Sequence, residues 1–209
     1  MTPPGKPGRF AIHRGFLQAA QAAALYLVVL GLTGALIAAG LLGWQKDVRG
    51  LTAIWALFAL ILVLAREIDN RTSSALEWLK GGEFEESVGL ALDGLSAGGW
   101  TVIHRLPKDW GGDVDHVVCG PHGVYAIETK SGTFSGKAAG QAEGNARFVR
   151  YRLKIPWVVP VVCVGDPEQR CQKKGNVWVM HRDELVAWLE GRRDRPVDAI
   201  VAGRLLPSA

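Results

Sequence analysis

Residues 22–44 read AAALYLVVLGLTGALIAAGLLGW, with no charged side chain in the run. At about 1.5 Å per residue, a helix over this stretch crosses the roughly 30 Å hydrocarbon layer of a bilayer. A chain with such a run must bury it in a large core or lodge it in lipid. A cleaved leader fits less well, because its apolar part is only about 7–15 residues long. A short charged loop, QKDVRG, follows, and then LTAIWALFALILVLA over residues 51–65. That second run is short for a span, and it lengthens back to Val48 if the Arg49 stem snorkels. Taken alone it suits a buried helix. Close behind the first run, it reads as the second arm of a transmembrane hairpin, with Trp44 at an interface.

Cations near the ends of the runs set an orientation. Lys6, Arg9 and Arg14 precede the first, Arg66, Arg71 and Lys80 follow the second, and the loop between holds only Lys46 and Arg49. The positive-inside bias then places both termini in the cytoplasm of a multi-pass cell (inner or plasma) membrane protein. The expected organisation is a cytoplasmic tail over 1–18 and two spans within 19–66, at about 22–44 and 48–65. A helical linker over 67–80, a soluble domain over 81–190 and a C-terminal tail over 191–209 complete it.

The net charge of +4 permits an anionic partner without identifying one. Cys119, Cys163 and Cys171 are odd in number and lack a CxxC spacing, so neither a disulfide framework nor a zinc site is expected. The spans carry no charge in their interiors, which removes the usual signal of an ion pathway.

From Gly81 the texture becomes that of a soluble α/β domain. Phe84, Val88, Leu92 and Leu95 have helical spacing, with Gly98 as the terminating residue. WTVIHRL reads as a strand and PKDWGGD as a loop whose Trp110-Gly111-Gly112 could touch a substrate. SGTFSGK is a turn region, and a helix follows over about 139–153. WVVPVVCVG is a strand whose internal proline suggests a bulge or a sheet edge. NVWVM is a further strand. RDELVAWLEG is a last helix, with Asp183 a candidate N-cap and Gly191 at its end.

Between the loop and the turn region lies DVDHVVCGPHGVYAIETK, residues 113–130. A Gly-Pro-His-Gly turn fixes a hairpin in which facing positions sum to 243, so Asp115 faces Glu128. Alternation puts Val117, Cys119, Val124, Ala126 and Lys130 on the same face. Val114, His116, Val118, Tyr125, Ile127 and Thr129 point to the other, which sends His116 away from the acids. Two facing carboxylates in an apolar hairpin repel. A shared proton, neutralisation by Lys130 or a divalent cation between them would relieve this. A structural, salt-bridged strand pair remains an equal alternative on spacing alone.

The order GGEFEESVGLALDGL, DVDHVVCGPHGVYAIETKSGTFSG, GQAEGNARFVR resembles the NERD (nuclease-related) domain, a branch of the PD-(D/E)xK nuclease-like superfamily, from Gly81 to about Trp188. The resemblance implies a restriction-endonuclease-like mixed sheet flanked by helices. It also implies an Mg²⁺- or Mn²⁺-dependent hydrolase acting on the phosphodiester bonds of DNA. Carried onto this chain, Asp115, Glu128 and Lys130 match the strand acid and the ExK pair. Glu85 matches a helix glutamate, with Glu83 and Glu86 as competitors, and Gln141 matches a glutamine facing the cleft. Asp115, Glu128 and Glu85 would then be metal ligands. Arg147, Arg150 and Lys154 form a basic stripe suited to a phosphate backbone, or simply a solvated helix face. No base-reading motif appears.

The partners expected are DNA and, through two helices, the lipid bilayer. A second copy of the chain is allowed, and no small-molecule cofactor is implied. The competing expectation is a catalytically inactive, membrane-tethered module that binds nucleic acid or protein.

Overall fold

A computed structural model describes residues 7–41, 48–121 and 123–194. The 42–47 loop with Trp44 and Lys46, the residues Lys6 and His122, and the segment 195–209 lie outside the described residues. The chain divides into two compact units.

One unit is residues 11–79. Helix α1 (Arg9–Leu41) and helix α2 (Val48–Asp93) are each long and apolar enough to cross a membrane. Their large apolar side chains point outward: Tyr26, Leu27, Leu30 and Ile37 on α1, and Trp55, Phe58, Leu62 and Val63 on α2 are all exposed. Neither apolar run, in α1 or in the first part of α2, is therefore buried as a core, as the buried-helix reading would require. The unit is also held by polar contacts, with the Arg71 guanidinium reaching Gln21 and, at 2.7 Å, Glu67.

Three expected boundaries differ. The first helix begins at Arg9, well before Ala22. The second runs unbroken through positions 66 and 81, so the expected span, linker and first helix of the domain are one 46-residue element. No proline interrupts 48–93, and glycines such as Gly81 and Gly82 lower helix propensity without breaking a helix. Finally, residues 7–10 are not a free tail but belong to the second unit, with residues 80 onward.

That second unit is built on a mixed six-stranded sheet. The strands are β1 (Thr101–Pro107), β2 (Asp113–Gly120), β3 (Gly123–Lys130), β4 (Val159–Val164), β5 (Gln172–Lys174) and β6 (Val177–His181). Their order is β1-β2-β3-β4-β6-β5. β3, β4 and β6 are parallel to one another, and the remaining pairs are antiparallel. Helix α3 (Gly136–Leu153) makes the crossover that parallel β3 and β4 require. Helix α4 (Arg182–Gly191) closes the domain.

The sheet is covered on both faces. On one, Val117, Cys119, Val124 and Ala126 pack with Phe148, Val149 and Leu153 of α3. On the other, Val118, Tyr125 and Ile127 meet Val88 and Leu92 of α2 and Leu185 and Leu189 of α4. This mixed sheet flanked by helices matches the restriction-endonuclease-like architecture that the resemblance implies.

Local details depart from expectation for identifiable reasons. β4 is an interior strand, not an edge; Pro160 faces Ala126, and pairing with β6 starts only at Val161, so the missing donor falls where β4 has one neighbour. α3 starts at Gly136 because Ser135 caps it, accepting from the Ala138 N–H at 3.2 Å. α4 is capped by His181, whose ring nitrogen accepts from the Asp183 N–H at 3.4 Å, rather than by Asp183. After α2 a 3-10 turn, Gly94–Gly98, precedes Gly99 in the left-handed region (φ 80°), so Gly99 rather than Gly98 makes the turn. β5 is a short strand beyond the expected set. Arg192 and Asp194, assigned to a tail, pair at 2.7 Å, and Asp194 accepts from the Tyr125 hydroxyl at 3.0 Å.

The three cysteines are free. Cys119 and Cys163 are buried hydrophobes whose thiols burial pushes up to about 12.

Candidate active site

The 243 register of the hairpin holds from Gly120↔Gly123 to His116↔Ile127 and stops there. The next pair would be Asp115 with Glu128, and it forms no ladder bond. Instead the Asp115 carboxylate takes the bonds the ladder gives up. Its Oδ2 accepts from the Thr129 N–H at 2.7 Å and from the Thr129 hydroxyl at 2.9 Å. Across β2, Arg105 of β1 stands opposite Asp115 with φ 52° and is likewise unpaired. The two irregular residues switch the alternation of both strands together. Leu106 and its partner Val114 therefore join Ile103 and Val117 in the α3-side core. Val114 was expected on the face of His116.

His116 does face away from the acids. Its Nδ1 lies 2.7 Å from Nδ1 of His104, whose Nε2 is 2.9 Å from Asp93. Asp93 accepts from the Nε2 side of His104, and the two facing Nδ1 atoms share one proton between the rings. The His116 Nε2 then has no hydrogen-bond partner among the described residues. Burial, with the nearby His104, pushes its pKa down to about 3.

The acids gather at the carboxyl end of β3. Glu128 is buried at 4 % exposure, yet both oxygens are engaged. Oε1 is 2.8 Å from the Lys130 ammonium, and Oε2 accepts from the Asn145 amide at 2.8 Å. Asn145, buried on α3, in turn accepts from the Lys108 ammonium at 2.9 Å. Asp115 is partly buried, and its carboxyl is held above the usual range by burial first, then by the negative charges of Glu128 and Glu85. Glu85 is raised too, chiefly by burial, with Asp113 and Glu128 adding to it and the Gly8 N–H and Arg105 opposing. Arg105 itself is bonded to Asp113 at 2.8 Å.

The expected residues thus separate into groups. Glu85, Asp115 and Glu128 feel one another's charge, and Lys130 pairs with Glu128. Glu83 and Glu86, the alternatives to Glu85, are exposed. Gln141 is exposed on α3. Asn145, a turn further along α3, is the residue that reaches Glu128. Sequence reasoning missed it, together with Lys108 and Thr129. Its signal was position: Ala138, Ala142, Asn145, Ala146 and Val149 form the buried stripe of α3, and a lone amide there needs polar partners.

Arg147 and Arg150 do not share the acids' end of the sheet. With Glu143, Trp157 and Asn176 they line a groove of about 360 Å³ that also reaches Val158 and Pro160, beside the start of β4. Glu128 and Lys130 face Val162 and Val164 at its finish. Lys154 lies on an adjoining groove with the same two arginines. Trp110 is 70 % exposed on its loop, its ring edge-on to Phe148 at 5.2 Å.

The donors suit a hard divalent cation: three carboxylates, with neither His nor Cys among them. Among the described residues, however, no three such side chains close into a ready-made metal cluster. Without a cation, the repulsion is relieved by Lys130 and by the raised carboxyls.

Residues 80–174 match the model of the nuclease-related domain. No curated protein and no solved structure matches the chain.

Proposed function

We propose that this nuclease-related domain makes the chain a membrane-anchored, cytoplasm-facing nuclease that hydrolyses phosphodiester bonds in DNA with Mg²⁺ or Mn²⁺. The observation that supports the reading is the 2.8 Å pairing of Lys130 with buried Glu128 at the end of β3, where Asp115 and Glu85 lie close enough for the charge of Glu128 to raise both carboxyls. Charges of one sign gathered in a half-dry pocket are costly for stability, and a cation removes the cost. Asp115, Glu128 and Glu85 would hold that cation. When bound, it would acidify a water and offset charge on the scissile phosphate.

The chain's own groups supply the rest. The Lys130 side chain is 37 % exposed, so its ammonium can turn from Glu128 toward solvent, hydrogen-bond the attacking water and meet the charge growing on phosphate. Asn145 fixes the Glu128 rotamer from α3, and Thr129 fixes that of Asp115. Exposed Gln141, Arg147, Arg150 and Lys154 are assigned to the nucleic-acid backbone, the last three acting at a distance from the acids. The two apolar helices would span the bilayer, with the cation excess outside them keeping both termini cytoplasmic.

One observation favours the alternative, an inactive tethered binding module: both Glu128 oxygens are already satisfied within the protein. Titration of the full chain in detergent with Mn²⁺ separates the two. Wild type should bind, and Asp115→Asn should bind at least tenfold more weakly. A wild type that takes up no Mn²⁺ supports the module.

A further inference from the structure

Two glycines on α2, Gly82 and Gly89, stand at i and i+7 and so share one face of the helix. Both are buried, and both are covered by the residues that immediately precede α1 in the chain. A Cβ on Gly8 would lie 2.1 Å from the Gly82 carbonyl oxygen and 3.3 Å from the Glu86 Cβ, and Gly8 has φ +71°. Only glycine fits both that conformation and that approach. A Cβ on Gly89 would lie 2.6 Å from the Pro7 ring, and the same position is 3.5 Å from the His116 ring. Phe10 completes the seat, with the Arg105 guanidinium over its ring at 5.5 Å.

Midway between the two glycines is Glu85. The Gly8 backbone N–H faces its carboxylate and favours the charged form, against the burial that raises it. Arg105, held by Phe10 and Asp113, adds positive charge nearby.

We propose that residues 7–10 are a positioning strap of the acid site, docked in a two-glycine cradle on α2, where Gly8 fixes the Glu85 carboxylate by its backbone. The acid cluster is then not complete in residues 80–174. It borrows a segment from the far end of the chain, the one that leads into the first apolar helix. A backbone donor suits the task, since it orients a carboxylate without adding a competing charge. The proposal rests on the nuclease reading only for what Glu85 holds, not for whether the strap docks.

The test uses the full chain in detergent. The Cβ at position 89 would lie 3.1 Å from the Pro7 Cβ, close to the roughly 3.5–4.5 Å of a disulfide. The double variant Pro7→Cys/Gly89→Cys, in a Cys171→Ser background, should cross-link on mild oxidation, as mapped by mass spectrometry. Gly89→Leu, which fills the Pro7 seat, should raise carbodiimide labelling of Glu85 severalfold, toward that of exposed Glu83. It should also weaken Mn²⁺ binding about tenfold, the usual cost of losing a group that orients a ligand. Pro7→Asp should do the same with α2 untouched. Gly81→Ala, on the same helix with open space around it, should change neither.

Absence of the cross-link overturns the proposal. So does Glu85 labelling that stays at the wild-type level in both Gly89→Leu and Pro7→Asp, or Mn²⁺ affinity that holds or rises in them. A wild type without Mn²⁺ uptake defeats the nuclease reading, while the cross-link and the labelling still decide the strap.

Discussion

Asp115→Asn should stabilise the metal-free protein while removing the proposed function. The wild-type carboxyl is lifted from 3.8 to about 8 by burial and by Glu128 and Glu85. For an acid raised in the folded state the sign is fixed. Its contribution is intact below the unfolded value of 3.8 and is lost progressively as pH rises toward the folded one. At about 1.4 kcal/mol per pH unit, the loss at pH 7 amounts to roughly 4 kcal/mol. Asp115 is partly exposed, so about half of that, ~2 kcal/mol, is the expected gain on removing the charge. Asparagine keeps a carbonyl oxygen for the Thr129 N–H and hydroxyl, so the hydrogen bonds survive. For a chain of this length ~2 kcal/mol raises Tm by about 4–8 °C. Near-UV circular dichroism melts in EDTA at pH 7 and pH 4 measure it, and the gain should nearly vanish at pH 4. A variant that melts below wild type at pH 7, or that gains equally at both pH values, refutes the reasoning.

Asn145→Ala should cost about 2–3 kcal/mol, because it leaves the Lys108 ammonium and the buried Glu128 Oε2 without their partner; denaturant titration measures it. His116, held near 3 when folded, is protonated first in the unfolded chain, so stability should fall between pH 6.5 and 3 by up to ~1.4 kcal/mol per pH unit. Melts in an Asp115→Asn background, free of the opposing acid, should show that slope, and His116→Phe should flatten it. Gly120→Ala should destabilise by at least 1–3 kcal/mol, since its Cβ would lie 2.2 Å from the Trp100 ring; thermal melting reads the loss.

The hairpin was legible because a period-2 pattern and a Gly-Pro-His-Gly turn leave one register. Its interruption at Asp115 was not. It depends on a carboxylate capturing the Thr129 N–H and on Arg105 adopting φ 52° on another strand. Apolar runs announced both long helices, but their ends depend on capping and continuity, which the alternation of residues does not encode. Pro160 looked like an edge signal because its single unpaired flank is visible only once β6 is in place. At the site, residue types near the hairpin could be read from the sequence. Asn145 and Gly8 could not, since each acts through a contact distant along the chain: 17 residues from Glu128 for the amide, and much further for the glycine.

The measurement that bears most directly on the central claim is cleavage by the full chain in detergent. Single-stranded, duplex and branched DNA would be presented with Mg²⁺ or Mn²⁺, and wild type compared with Lys130→Ala, which leaves the three acids in place. The account predicts metal-dependent cleavage by wild type that EDTA abolishes, and a loss of at least a hundredfold in the variant. Equal inertness of the two proteins on every substrate, or cleavage indifferent to Lys130, would contradict it.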